Sequence, residues 1–168
     1  MPLVDALLPE FDREVASTRR LLERLPDGQL EWRPHPKSMT LGALATHLSE
    51  LGTWGAATIN LPAIDLESMT RPPDYVAPAT RAAILAVFEE KMAGARSALV
   101  DKSDAELLAP WTLRRGAHEF FTMPKASCWR TFVMNHLIHH RGQLTVYLRQ
   151  LDVPLPSIYG PSADQQPF

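Results

Sequence analysis

A single cysteine, Cys128, stands among 168 residues, so no disulfide can form within the chain. A core rather than cross-links must hold the fold, and one cysteine fits a reducing compartment. Blocks of like charge are also missing. Charged residues make up 21% and the formal net charge is −2. That balance disfavours nucleic acid or an anionic membrane surface as the main partner. No stretch approaches the ~20 apolar residues of a membrane span. The opening residues, Met1-Pro2-Leu3-Val4-Asp5, lack the basic start and long apolar run of a signal peptide. The expectation is a cytoplasmic protein with no membrane partner. Hydrophobic residues at 45% of 168 positions suit one domain over residues 1–168, with one substantial core.

Several chemistries are missing too. No G-x-S-x-G elbow is present, which argues against a serine hydrolase. There is no H-E-x-x-H, and the last helical stretch has no carboxylate near its histidines. That argues against a zincin protease and against a di-iron carboxylate bundle, which needs glutamates from all four helices. No βαβ alternation, internal repeat or low-complexity segment is visible.

What is there is helical periodicity. Val4, Leu7, Leu8, Phe11, Val15, Leu22 and Leu25 predict a first helix over Leu3 to Leu25, ended by Pro26-Asp27-Gly28. Trp32-Arg33-Pro34-His35-Pro36 excludes a regular helix. Thr40 reads as the N-cap of a second helix reaching about Ile59, with His47 on the same side as Leu44, Leu48 and Leu51. Residues 62–78 read as a long connection, long enough to form a lid or wall of a site. Ile84, Val87, Phe88, Met92, Ala95 and Leu99 predict a third helix from Thr80 to Val100. Ser103-Asp104-Ala105-Glu106 has the form of a capping box opening a short helical turn. Residues 109–123 suggest a small hairpin or an extended loop. Pro124 suits the first turn of a last long helix over Lys125 to Leu151, and an irregular tail follows. The fold class is all-α: an up-down four-helix bundle with a short extra helix and a small hairpin before the last helix.

Within the last helix lies Asn135-His136-Leu137-Ile138-His139-His140-Arg141-Gly142-Gln143. The apolar stripe through Trp129, Phe132, Val133, Leu144, Tyr147, Leu148 and Leu151 also carries His136 and His140. Residues four apart lie one above the other on a helix, so both imidazoles point toward the core. Buried without partners, each would cost a few kcal/mol at least. Together with His47, three histidines from two helices can converge on one ion. Three protein ligands with an open position form a reactive divalent site rather than a closed structural one. The open position takes water or a thiol, and the metal lowers that ligand's pKa, readying it to attack an electrophile. A lone core histidine is more often a satisfied hydrogen-bonding residue, but an i, i+4 pair shifts the balance. His139 competes with His140: the wheel separates His136 from His140 by about 40° and from His139 by about 60° on the other side. Geometry only mildly favours His140.

Other residues have plainer readings. Gln143, one turn past His140, can hydrogen-bond a bound water or fill a buried polar gap. Tyr147 shares that face and lines the cavity or packs in the core. Arg141 points about 140° from the His136 direction and reads as solvated or interfacial. Asn135 pairs with a neighbouring helix. Cys128 reads as a small buried hydrophobe. Trp32 and Trp54 read as core aromatics or pocket walls. Arg114 and Arg115, with His118, can attract an anionic substrate, although two loop arginines are usually just solvated.

Two motifs give the chain a resemblance. Trp32-Arg33-Pro34 with Thr40-Leu41-Gly42-Ala43-Leu44-Ala45-Thr46-His47-Leu48, and His136-Leu137-Ile138-His139-His140-Arg141-Gly142-Gln143-Leu144, are similar to those of the DinB/YfiT-like family of four-helix-bundle metalloproteins. Helix order and length agree over roughly residues 3 to 151. The resemblance implies zinc or nickel held by His47, His136 and His140, which selects His140 over His139. It also implies a homodimer. Relatives include thiol-dependent transferases and isomerases that use low-molecular-weight thiols such as mycothiol or bacillithiol. The functional expectation is therefore a metal-dependent enzyme that activates a thiol, or water, for attack on a small-molecule electrophile. A metal-dependent hydrolase, a non-enzymatic metal-binding or ligand-sensing dimer, and haem binding through paired histidines are the alternatives.

Overall fold

The computed structural model describes residues 1–69 and 76–166. Its elements run α1 (Leu3–Leu22), a short 3-10 turn (Asp27–Gln29), α2 (Leu41–Asn60), β1 (Ala63–Asp65), α3 (Arg81–Leu99), α4 (Asp104–Leu108), β2 (Pro110–Arg115), β3 (His118–Pro124), α5 (Lys125–Cys128), a π-helical segment (Trp129–Met134) and α6 (Asn135–Gln150). Helix starts follow local chemistry. The Thr40 hydroxyl accepts from the Ala43 N–H at 3.1 Å, and Thr80 accepts from Ala83 at 3.2 Å. Each satisfies one of the N–H groups left without a partner at a helix start. Ser103 and Glu106 close the expected capping box, with Ser103 N–H donating to Glu106 Oε2 at 2.9 Å. Those bonds hold the Glu106 carboxyl well down, at about 2. The first helix ends at Leu22, short of the expected Leu25, although Leu25 remains buried.

The four long helices close a ring. α1 packs against α3 and α6, and α2 packs against the same two. Phe11, Leu44, Leu48, Ile84, Phe88 and Leu144 fill the centre. The chain is a helical bundle, as expected. The hairpin is present as β2 against antiparallel β3, from Pro110↔Pro124 to Arg115↔His118, with a register shift between Leu113 and Arg114. One strand was not expected. β1 pairs parallel with β2, Ala63 opposite Thr112 and Asp65 opposite Arg114, making a three-stranded sheet. Ala63-Ile64-Asp65 lies inside the stretch expected to be a plain connection, and three residues are too short to show alternation. The remainder of that connection falls partly on residues 70–75, outside those described. The sheet builds a second apolar cluster: Ile64, Trp111 and Cys128, with Trp54, Leu113, Phe121 and Phe132 packed against it.

The last helix departs from a regular α-helix before its histidines. Over Trp129–Met134 it is π-helical, and Asn135 N–H donates to Arg130 C=O, five residues back. Such turns are rare and concentrate at functional sites. The wider turn changes which side chains face the core. Trp129, Val133, Met134 and Leu137 are buried. Phe132, expected on that stripe, instead stacks on Phe121 of β3, ring centroids 4.9 Å apart and 6° from parallel.

Arg141 corrects another expectation. It is only 2% exposed, not solvated. Its guanidinium pairs with Glu14 of α1 (Nη1 to Oε2, 2.6 Å) and donates to the Glu14 carbonyl at 3.2 Å. Tyr159 closes the network: its hydroxyl accepts from Arg141 and donates to Glu14 Oε2 at 2.7 Å. Arg141 also lies 5.0 Å from the Tyr159 ring centre. Burial raises the Tyr159 pKa, so the phenol keeps the proton it donates. Removing one partner of such a pair leaves an uncompensated buried charge. The network fixes the rotation of α6 against α1 and ties down a tail that is otherwise without helix or strand.

α2 and α3 approach closely at Gly52. A Cβ there would stand 2.3 Å from the Lys91 carbonyl oxygen, a backbone atom that cannot swing aside. Alanine would gain about 1 kcal/mol of helix propensity. A clash with backbone outweighs that gain, because overpacking a tight interface costs about 1–3 kcal/mol or more. Gly52→Ala should lower the melting temperature by up to about 8 °C, since the net cost is up to about 2 kcal/mol at about 2–4 °C per kcal/mol for a chain of this size. Thermal unfolding followed by circular dichroism checks this; an unchanged or higher midpoint would mean that the interface is looser than its geometry.

Candidate functional site

His47 stands on α2, and His136 and His140 stand one turn apart on α6, the helix packed against it. One ring nitrogen from each lies within 4.8 Å of the others. His47 Nε2 and His136 Nε2 are 3.1 Å apart. The His47 ring centre is 5.0 Å from that of His136 and 4.5 Å from that of His140. Tetrahedral bonding at about 2.0–2.1 Å would put ligand nitrogens about 3.3 Å apart. The donor set therefore fits one divalent ion after small ring adjustments. His140 is already oriented: its Nδ1 lies 2.7 Å from Gln143 Oε1. With the proton on Nδ1, the imidazole donates to Gln143 and keeps Nε2 free as a donor atom for an ion.

The electrostatics favour neutral rings. Burial lowers the His47 pKa, and proximity to His140 and His136 lowers it further, against a smaller upward pull from Glu50. Burial also lowers His136, helped by His140 and His139 and opposed by the Phe132 carbonyl. Neutral imidazoles are what a divalent ion requires.

His139, the competitor in the sequence, is exposed. Its ring lies edge-on to that of His140, centroids 4.9 Å apart, and it is not among the three that converge. Tyr147 packs edge-on against Trp32 at 5.7 Å, and its hydroxyl donates to the Met39 carbonyl at 3.4 Å. Asn135 is exposed. Cys128 is buried with Thr58 Oγ1 at 3.8 Å, and burial raises its pKa, which suits an inert thiol. Arg114 pairs with Asp65 at 3.3 Å, while Arg115 and His118 are exposed at the hairpin turn.

Among the described residues, a groove and a smaller cavity border the histidines. A groove of about 430 Å³ borders His47, lined also by Leu30, Thr40, Thr46, Glu50 and Pro78. Ala77 and Pro78 thus bring the end of the 62–78 connection to the site as a wall. A smaller cavity of about 120 Å³ borders His136, with Trp54, Trp111, Leu113, Phe121 and Phe132 around it. Neither space is lined by Gln143 or Tyr147. The hairpin residues Trp111, Leu113 and Phe121 were missed from sequence. Their signal is the alternation of inward positions along two strands, which cannot be read until the hairpin is certain.

The sequence pattern of the DinB family matches residues 2–167. The chain belongs to the DinB family. It is 28% identical over 162 residues to the protein YrdA of Bacillus subtilis strain 168, covering 96% of this chain and 91% of that one. A DinB-like protein from Bacillus cereus ATCC 10987 has a similar structure, with a TM-score of 0.68 at 25% identity over 92% of this chain and 97% of that one. The DinB-like protein YjoA of Bacillus subtilis matches in fold, with a TM-score of 0.71 at 16% identity over 91% and 97% of the two chains. Among the described residues of this DinB protein, no helix is long and apolar enough to cross a membrane.

The lowered histidines carry a consequence for the metal-free chain. A histidine with a folded pKa below its unfolded value of 6.5 takes up a proton on unfolding. Stability is then retained above about pH 6.5 and lost as pH falls from there toward the folded pKa. Metal-free protein should lose stability as pH falls below about 6.5, and His47→Gln should flatten that loss. Urea unfolding at several pH values in chelator measures it. A stability rising on acidification through this range would mean that the rings are not held neutral.

Proposed function

We propose that this DinB-family protein binds one divalent metal ion, zinc or nickel, through His47, His136 and His140, and uses it to activate a thiol or water against a small electrophilic molecule. The observation that carries this reading is the convergence of three imidazole nitrogens within 4.8 Å of one another. No carboxylate belongs to that group among the described residues. Such an ion supplies a Lewis-acidic open position at which a thiol or water loses its proton more readily.

The chain's own residues do the rest. Burial keeps His47 and His136 neutral and available. Gln143 fixes the His140 ring so that Nε2 is presented. The groove beside His47 admits the nucleophile, and its 430 Å³ is ample for a low-molecular-weight thiol. The half-buried setting strengthens electrostatic effects on any charge that develops there. Thiol transfer ranks above hydrolysis on family resemblance, and a homodimer is part of the same proposal.

Metal titrations of purified, folded variants test it. His47→Ala, His136→Ala and His140→Ala should each weaken zinc or nickel binding by more than about 100-fold, beyond the usual cost of losing a group that only supports a ligand. His139→Ala should cost no more than about tenfold. Abolition by His139→Ala with binding kept in His140→Ala would overturn the ligand set. Turnover of a panel of thiols and electrophiles, with and without metal, then tests the activity.

A further inference from the structure

The cavity beside His136 differs in kind from the groove beside His47. Its volume is about 120 Å³, and it is bounded by Trp54, Trp111, Leu113, Phe121, Phe132 and His136. Four of these six are aromatic side chains, one is leucine, and only His136 is ionisable. The walls come from separate elements: Trp54 from α2, Trp111 and Leu113 from β2, Phe121 from β3 and Phe132 from the π-helical segment. Phe121 and Phe132 lie stacked within 6° of parallel, and Trp111 is tilted 37° to Phe121. These contacts set the hairpin against the helix beside the cavity, yet they leave it open. An apolar cavity of about 150 Å³ stays dry and accepts a benzene ring. The volume here matches one ring and is too small for two.

Its position gives it a role. His136 lines the cavity, and His136 Nε2 lies 3.1 Å from His47 Nε2. A ring seated there touches one of the three candidate ligands. We propose that this cavity is the subsite for an aromatic ring carried by the electrophilic substrate, and that the β2–β3 hairpin with Trp54 selects for it. The role in a reaction rests on the metal-dependent function proposed above; the binding of a ring does not. Aromatic walls favour a flat ring over a puckered one of the same size, through stacked and edge-to-face contacts.

The probe is benzyl alcohol, with cyclohexylmethanol as its saturated counterpart. Both are titrated into the full chain, metal-free and zinc-loaded, and the indole N–H signals of Trp54 and Trp111 are followed by NMR. Benzyl alcohol should saturate with a dissociation constant in the millimolar range, on the order expected for so small a ligand. Cyclohexylmethanol should bind at least about fivefold more weakly. Leu113→Trp fills the cavity and should weaken benzyl alcohol by at least about tenfold, because overfilled space rejects a ligand as it rejects a larger side chain. Phe121→Ala, which removes a wall instead, should weaken it in the same direction. Zinc affinity should be unchanged in both variants. Absence of saturation, equal binding of the saturated ring, or undiminished binding in folded Leu113→Trp would each overturn the subsite. Zinc affinity on the same samples separates the two ideas: loss of the ring with zinc retained fails the subsite alone, while ring binding without zinc binding fails the metal reading alone.

Discussion

Three imidazole nitrogens held within reach of one point form an arrangement that resists its own protonation. A charge on one ring disfavours a second charge beside it, and burial adds a desolvation cost at His47 and His136. Both effects appear at His47 and His136, whose pKa values are lowered first by burial and then by neighbouring histidines. Two facing nitrogens 3.1 Å apart can share one proton at best. A cation at the centre satisfies all three lone pairs together. The remaining structure can be understood as what keeps those nitrogens where they are.

Two devices hold the α6 rings toward α2. Gln143 fixes the His140 ring through Nδ1. Arg141, the next residue in sequence, turns the other way into a buried pair with Glu14 and a bond with Tyr159. The pair is weak evidence for net stability, since desolvation offsets much of its attraction. Its geometric effect is clearer: once Arg141 is locked to α1, α6 cannot rotate without exposing or orphaning a charge. Gly52 does the corresponding job on α2, letting that helix pack directly on the α3 backbone. The π-helical segment then redirects Phe132 toward the hairpin, so the approach to His136 is walled by the sheet as well as by the bundle.

Much of this was legible in the sequence because it is local or periodic. Thr40 as a cap, the Ser103–Glu106 box and the four long helices follow from short-range chemistry and a 3.6-residue period. The placement of His47 with the α6 pair followed from periodicity, and family resemblance chose His140 over His139. What the sequence hid depends on distant partners. Arg141 looks solvated on a helical wheel until Glu14, 127 positions away, is known to face it. β1 is a strand only because β2 lies beside it. The π turn shifts the register of the stripe by a local change that no residue type announces, and so Phe132 was placed in the wrong company. The cavity beside His136 draws walls from four elements, three of which were uncertain or unseen in the pattern.

X-ray absorption on protein purified without an affinity tag and loaded with one equivalent of zinc tests the central claim most directly. Three imidazole nitrogens at about 2.0–2.1 Å, completed by an oxygen ligand and without sulfur, are the expected result. A first shell with one imidazole or none, or one containing the sulfur of Cys128, would contradict it.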